Sequence, residues 1–418
     1  MAETVRERHD CRLCGSEGVD GVFSLAATPP ANAFLSRQEV ASLHGQVEEA
    51  FPLDLLLCLD CGHLQLKHVV NPELLFGEYK YVSGTSPVFV EHFRRYVSEV
   101  HGRLGHRVGP KVLEVGSNDG TMLRFFQQQG YQCLGVDPAR DIAKQASAAG
   151  LETLPEFFTE ALAEQIRATR GEYDVVIANN VCAHIDDLHD IARAVRTVLR
   201  SDGLFVFEVS YLKDVLTKTL FDTIYHEHLS YHAVRPLVRF FARHGLQLVD
   251  ATLVDSHGGS IRVYVQHEGG GRDVAPVVAE LIRQEEHLGL FAATTFQTFA
   301  ARIDGLKRET RQLLQDLRLA GKKIAGFGAP AKATTLMHHF ALGADVIDFI
   351  IDDSPLKQGL LTPGLHIPVL PSESLSTLRP DYVVILAWNF ASSIIAKHQA
   401  YQQQGGRFVV PLPELTVI

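Results

Sequence analysis

The stretch Lys111-Val-Leu-Glu-Val-Gly-Ser-Asn-Asp-Gly120 constrains this chain more than any other. Val112, Leu113 and Val115 make a short apolar strand, and Thr121 to Gln129 reads as a helix. Between them, Gly116 and Gly120 permit a tight turn and a close approach of backbone to a ligand, which a Cβ would prevent. A second short strand, Cys133 to Val136, ends in Asp137, about 20 residues beyond the turn. An acid there can accept hydrogen bonds from both hydroxyls of a nucleoside ribose.

Details of the turn decide the kind of ligand. The dinucleotide fingerprint has a glycine where this chain has Asn118, and the Lys-Ser/Thr pair of a phosphate-cradling loop is absent. Glu114, at the strand end, suits a cationic cofactor better than a pyrophosphate. The pattern acid-x-Gly-x-x-x-Gly followed by Asp137 resembles the first motif and partner acid of class I S-adenosylmethionine methyltransferases. NAD is the competing cofactor.

At 418 residues the chain has room for two or three domains. Its net charge of −10 argues against a non-specific nucleic-acid binder, which needs a basic footprint. No apolar run reaches the ~18 residues of a membrane span, and Met1 to His9 lacks the apolar core of a signal peptide. A cytoplasmic protein with no membrane partner is expected.

Six cysteines are too few for a disulfide framework at this size. Four form two Cys-x-x-Cys pairs, Cys11/Cys14 and Cys58/Cys61, and supply the four thiolates of a closed tetrahedral Zn²⁺ site. A redox dithiol is the rival, though it usually involves one pair at a helix start. Cys133 and Cys182 read as small buried hydrophobes.

The chain divides into three units. Residues 1–88 carry the two Cys-x-x-Cys pairs and a core that cannot be large, so the metal is expected to supply much of the folding free energy. The segment Phe76-Gly-Glu-Tyr-Lys-Tyr-Val-Ser leads out of this unit, with Tyr79 and Tyr81 as partly buried or active-site aromatics. Residues 89–300 begin with a helix, Val90 to Leu104, and continue with the strands 112–115, 133–136, 174–178 and 204–209, separated by helices. That alternation implies a parallel sheet with crossover helices, whose ligands bind beyond the carboxyl ends of the strands. Gly116, Asp137, Asn179, Asn180 and His184 all lie just past such ends; Asn179 and Asn180 also suit plain turns. Residues 301–418 repeat the layout. A helical stretch from His287 to Leu319 leads to Gly326-Phe-Gly328, and a strand at 346–351 ends in Asp352-Asp353. The backbone around Gly328, together with Lys332, could hold a pyrophosphate. NAD is the rival here too, although Pro330 and Lys332 depart from its fingerprint.

Tyr225-His-Glu-His228 is the densest polar cluster. A buried strand would need a partner for each of these groups, and Ile224 and Leu229 flank them too closely for a solvated face. Metal ligation is weakened by the absence of i, i+4 histidine spacing. In a methyltransferase the donor methyl is already electrophilic, so the protein must make and align a nucleophile. A carbon nucleophile requires removal of a proton beside a carbonyl. Histidine, with an ordinary pKa near ~6.5, suits that base role, and a tyrosine or second histidine can hold the oxyanion.

Taken together, the cysteine pairs, Glu-Val-Gly-Ser-Asn-Asp-Gly, Ile-Tyr-His-Glu-His and Gly-Phe-Gly-Ala-x-x-Lys resemble the deoxysugar C-methyltransferases, over essentially the whole chain. The resemblance implies a zinc-binding domain, a class I methyltransferase domain and a Rossmann-like third domain. It also implies a dTDP-linked 4-keto sugar as substrate, as in tetronitrose biosynthesis, S-adenosylmethionine and Zn²⁺ as cofactors, and no nucleic-acid partner. A monomer is expected. By match of motif, His228 takes the place of the base, and Tyr225, Glu227, His184 and Tyr79 match other active-site positions. Glu114, Gly116, Asn118, Gly120, Asp137, Asn179 and Asn180 are expected at the methyl donor. Ser260 and Arg262, within His257-Gly-Gly-Ser-Ile-Arg, are expected at the substrate with Gly328 and Lys332. Methylation at C-3 is expected, with C-5 as the alternative.

Overall fold

The computed structural model describes residues 4–76 and 87–418. Its centre is a seven-stranded sheet in the order Leu246–Val254, Ser260–His267, Leu199–Ser210, Tyr173–Asn179, Lys111–Val115, Gln132–Val136, Thr153–Leu154. From Leu199–Ser210 to Thr153–Leu154 the strands are parallel. Tyr173–Asn179 is buried over six consecutive residues, as a strand covered by helices on both faces must be. At the other edge, Ser260–His267 runs antiparallel to both neighbours. The sequence reading, which follows the parallel crossovers, does not contain this pair.

A second sheet of six strands has the order Val369–Leu370, Phe349–Ile351, Ile324–Phe327, Tyr382–Ile385, Arg407–Val410, Thr416–Val417, all parallel except the last. The helix expected from His287 to Leu319 begins instead at Ala293. Pro276–His287 ends before Gly289, whose φ is +66°, and a new helix runs over Ala293–Leu319. Position 300/301, where the sequence reading divides the second and third units, lies inside that helix.

The cysteine-bearing unit is a four-stranded antiparallel sheet in the order Ser230–Tyr231, Leu64–Leu66, Phe51–Cys58, Val19–Thr28. Its edge strand therefore comes from a segment more than 150 residues later in the chain. Its core is not its own either. Leu53, Leu55, Leu57, Leu64 and Leu66 belong to one apolar cluster with Phe299 and Ile303 of the helix Ala293–Leu319 and Leu336 and Phe340 of the helix Ala331–Phe340. The small core expected for residues 1–88 is thus completed by burial against two long-range helices, Ala293–Leu319 and Ala331–Phe340. Among the described residues no helix is long and apolar enough to cross a membrane.

Candidate active site

The strand Lys111–Val115 delivers its chain into the turn 116–120 and the helix Thr121–Gln128. Gly116 has φ +67°, and a Cβ there would collide with Val181. Asp137 is held by two backbone donors: the Asn118 N–H to Oδ2 at 2.8 Å and the Ala139 N–H to Oδ1 at 2.9 Å. A carboxylate so fixed keeps further lone pairs for hydroxyl donors. Glu114 is 4% exposed, and its Oε2 has no hydrogen-bond partner among the described residues. Burial, then the nearby Asp119 and Asp137, push its carboxyl well above the ordinary range. A bound cation relieves both effects, so the acid-lined crevice fits a sulfonium or ammonium group. Asn179 Oδ1 is likewise buried without a partner, while the Asn180 N–H donates to Glu208 O at 2.7 Å.

On the far side lies the segment around residues 222–232, fixed from three directions. His226 Nε2 bonds Phe51 O at 3.0 Å, so this histidine points into the first unit. Glu227 Oε1 accepts from Asn32 Nδ2 at 2.8 Å. Thr335 Oγ1 donates to Ile224 O at 2.8 Å, and Trp388 Nε1 to Asp222 Oδ2 at 2.6 Å, both from the third unit. His228 Nδ1 lies 2.7 Å from Thr223 O. A carbonyl only accepts, so Nδ1 carries the proton and Nε2 is the free lone pair of the ring. The His228 ring stands 4.1 Å from that of Tyr225 and 5.0 Å from that of His184, centre to centre. Burial pushes the His228 pKa down to about 4, below the ordinary histidine value assumed from the sequence. The ring is therefore neutral at physiological pH.

The two sides meet in one cavity of about 630 Å³. It brings together Glu114, Gly116, Asn118, Asp137, Asn179, Asn180, His184, Tyr225, Glu227, His228 and Lys332. Gly120 does not line it; a Cβ there would meet Leu151, so its role is packing under the turn. Gly328 lies behind Pro330 and Ala331, which do line it. Ser260 and Arg262 are not brought to the cavity. Ser260 Oγ donates to Ser256 O at 3.0 Å. The Arg262 guanidinium is buried between Glu208, at 2.9 Å, and Glu99, at 2.6 Å, and stacks over Tyr96. Its charge is neutralised by two acids, so it has none to offer an anion. Tyr79 lies outside the described residues.

Several wall residues have no site role in the sequence reading: Asn32, Asp186, Lys357, Phe157 and Phe390. Lys332 Nζ is 3.7 Å from Asp222 Oδ2 and 4.8 Å from the centre of a Trp388 ring, with no hydrogen-bond partner among the described residues. Lys357 Nζ donates to Ala329 O at 2.7 Å. Two ammonium groups thus face the same end of the cavity.

The four expected thiols come together. Cys11, Cys14, Cys58 and Cys61 have all their Sγ atoms within 4.8 Å, with Cys11–Cys61 at 3.6 Å and Cys14–Cys58 at 3.5 Å. Thiolates ~2.3 Å from a tetrahedral zinc stand about 3.8 Å apart, so the set fits the ion. Each pair closes in the same way: Gly15 and Gly62, with φ +71° and +86°, donate to Cys11 O and Cys58 O at 2.8 and 2.9 Å.

Three family models cover most of the chain: a zinc binding domain over residues 11–76, a methyltransferase domain over 89–251 and a C-methyltransferase C-terminal domain over 255–413. The C-methyltransferase NovU of Streptomyces niveus is 38% identical over 418 residues, covering 100% of this chain and 99% of its own. A ubiquinone biosynthesis O-methyltransferase of Bordetella avium (strain 197N) is 26% identical over 133 residues, 31% of this chain and 52% of that one. A solved S-adenosylmethionine-dependent methyltransferase from Clostridium acetobutylicum ATCC 824 aligns over 44% of this chain and 92% of its own, at 13% identity and a TM-score of 0.35. The full-length match and the succession of the three domains assign the protein: it is an S-adenosylmethionine-dependent enzyme of the C-methyltransferase family that includes NovU.

Proposed function

We propose that the chain methylates C-3 of a dTDP-linked 4-keto-deoxysugar in antibiotic deoxysugar biosynthesis, with His228 as the base. One observation carries the reading. A single cavity joins an acid-lined nucleoside crevice to a neutral histidine whose Nδ1–H is held by Thr223 O at 2.7 Å. The held tautomer leaves Nε2 to take the proton beside the 4-keto group, and the released electron pair moves onto the carbonyl oxygen. Tyr225 and His184, whose rings flank His228, donate hydrogen bonds to that oxyanion. Glu227, fixed by Asn32, accepts from a sugar substituent.

S-adenosylmethionine, when bound, supplies an electrophilic methyl group. Glu114 faces its positive charge, Asp137 accepts from its ribose hydroxyls, and Asn118, Asn179 and Asn180 complete the crevice. The turn carrying Gly328, with Lys332 and Lys357, holds the diphosphate of the sugar nucleotide; burial pushes both lysine pKa values down, and a bound diphosphate favours their charged forms. Tyr79 is assigned to the same site by match of motif alone.

The test is a panel of dTDP-4-keto sugars assayed with the methyl donor, the products identified by mass and NMR. A new methyl on C-3, lost in His228→Gln, is expected. A methyl on C-5 would overturn the position. A methyl on oxygen or nitrogen would overturn the carbon chemistry, and NADH-dependent reduction without methyl transfer would favour an oxidoreductase.

A further inference from the structure

The zinc unit reaches into the active-site cavity through side chains that metal binding alone does not require. Arg12 lies between two thiolates of the first knuckle and is fully buried. Its side chain does not turn towards solvent. Nε reaches Asp186 Oδ1 at 2.8 Å, and Nη1 donates to Leu66 O at 2.6 Å. Arg8 approaches the same acid, with Nη1 at 3.0 Å from Oδ1 and 3.2 Å from the Asp186 carbonyl, and Arg6 pairs with Oδ2. Asp186 lines the cavity two residues after His184.

The second knuckle grips the opposite side. The chain leaving Cys61 forms the strand Leu64–Leu66, which pairs with Ser230–Tyr231 just after His228, and the Leu66 N–H donates to Leu229 O at 2.9 Å. The two gripped segments also touch each other, because the Leu229 and Ser230 N–H groups donate to Ala183 O at 2.7 and 3.1 Å. One knuckle therefore anchors the His184 segment, the other anchors the His228 segment, and a single four-thiolate centre joins the two knuckles.

We propose that Arg12 and Asp186 are positioning residues of the methyl-transfer reaction: they form a strut from the zinc site that sets His184 against His228. A surface ion pair would be too weak to do this. Here the arginine is desolvated, and three guanidinium groups fix one carboxylate and its backbone carbonyl. A shift of about 1 Å in such a constellation costs on the order of 10²-fold in rate.

The inference rests on the reading of His184 as a group that faces substrate, and its first readout needs no substrate. The full-length, zinc-loaded protein saturated with S-adenosylhomocysteine is followed by the His184 ring Cε1–H resonance, assigned by its loss in His184→Gln. Zinc content and donor affinity are measured alongside. Arg12→Lys and Asp186→Asn are expected to keep one zinc per chain and donor affinity within about threefold, yet to move the His184 resonance. With a turned-over sugar nucleotide they lower kcat by ~10-fold or more while KM stays within about threefold. A purely structural role would instead lower thermal stability and leave the resonance of the folded protein in place. If Arg12→Lys sheds zinc, Asp186→Asn decides, since Asp186 is no neighbour of the thiolates in sequence. A zinc-retaining Asp186→Asn protein with an unmoved resonance and wild-type kcat overturns the proposal. Failure of every sugar nucleotide to turn over would instead count against the substrate reading and leave the resonance result standing.

Discussion

The turn at Gly116 and the turn at Gly328 are built on the same frame and differ in what stands over it. In both, a glycine with positive φ follows a central strand, and its N–H donates to the last residue of the next strand: Val136 O at 2.8 Å, Ile351 O at 2.7 Å. In both, the next residue of that second strand is an acid held by two backbone donors. Asp137 accepts from Asn118 and Ala139; Asp352 accepts from Ala329 at 2.6 Å and Ser354 at 2.8 Å. Over the first frame stand Glu114 and Asp119. Over the second stand Lys357, bonded to Ala329 O, and Lys332. A shared backbone device is thus given opposite electrostatics, which suits a cationic methyl donor at one turn and an anionic nucleotide at the other.

The largest expected effect lies between the two turns, at His228, the residue proposed as the base. His228→Ala should lower kcat by about 10²–10⁴-fold while donor affinity, measured by calorimetry, stays unchanged. The next largest effect separates the frames. Asp137→Ala should weaken the methyl donor ~10-fold or more and spare the sugar nucleotide. Asp352→Ala should spare the donor and raise KM for the nucleotide by several-fold. Equal losses in both affinities for either variant would dissolve the distinction. Lys332→Ala should raise that KM ~10-fold, with a steeper effect at low salt than at high salt.

A smaller effect concerns pH. Burial pushes the pKa values of His226, His228, His232 and His339 each down to about 4. The unfolded chain binds protons at these residues near ~6.5, so it takes up more protons than the folded chain between those values. Stability is then full above pH ~6.5 and declines as the pH falls towards 4. Thermal melts should show a midpoint lower by ~5 °C or more at pH 5 than at pH 7.5. The rate should also stay flat from pH 8 to 6, because His228 is already neutral there.

What the sequence made legible was local. Cys-x-x-Cys spacing, the glycines around residues 116–120 and the acid at 137 each carry their geometry within a few residues, and the structure brings the cysteines together and sets Asp137 against Asn118. The illegible parts depend on distant partners. Arg262 reads as a free cation in a Gly-rich segment, but Glu208 and Glu99, far away in the chain, take its charge. Lys357 and Asn32 carry no motif, and only the packing of three units turns them to one wall. The first unit's leucines looked too few for a core because their partners, Phe299 and Phe340 among them, lie some 250 residues onward.

The most direct measurement follows the sugar C-3 proton in D₂O with S-adenosylhomocysteine bound, so that proton removal is seen without methyl transfer. Wild-type protein should exchange that proton for deuterium in a dTDP-4-keto-deoxysugar, and His228→Gln should not. Exchange at the wild-type rate in His228→Gln would contradict the assignment of the base, and no exchange by a wild-type protein that still methylates the sugar would contradict the enolate itself.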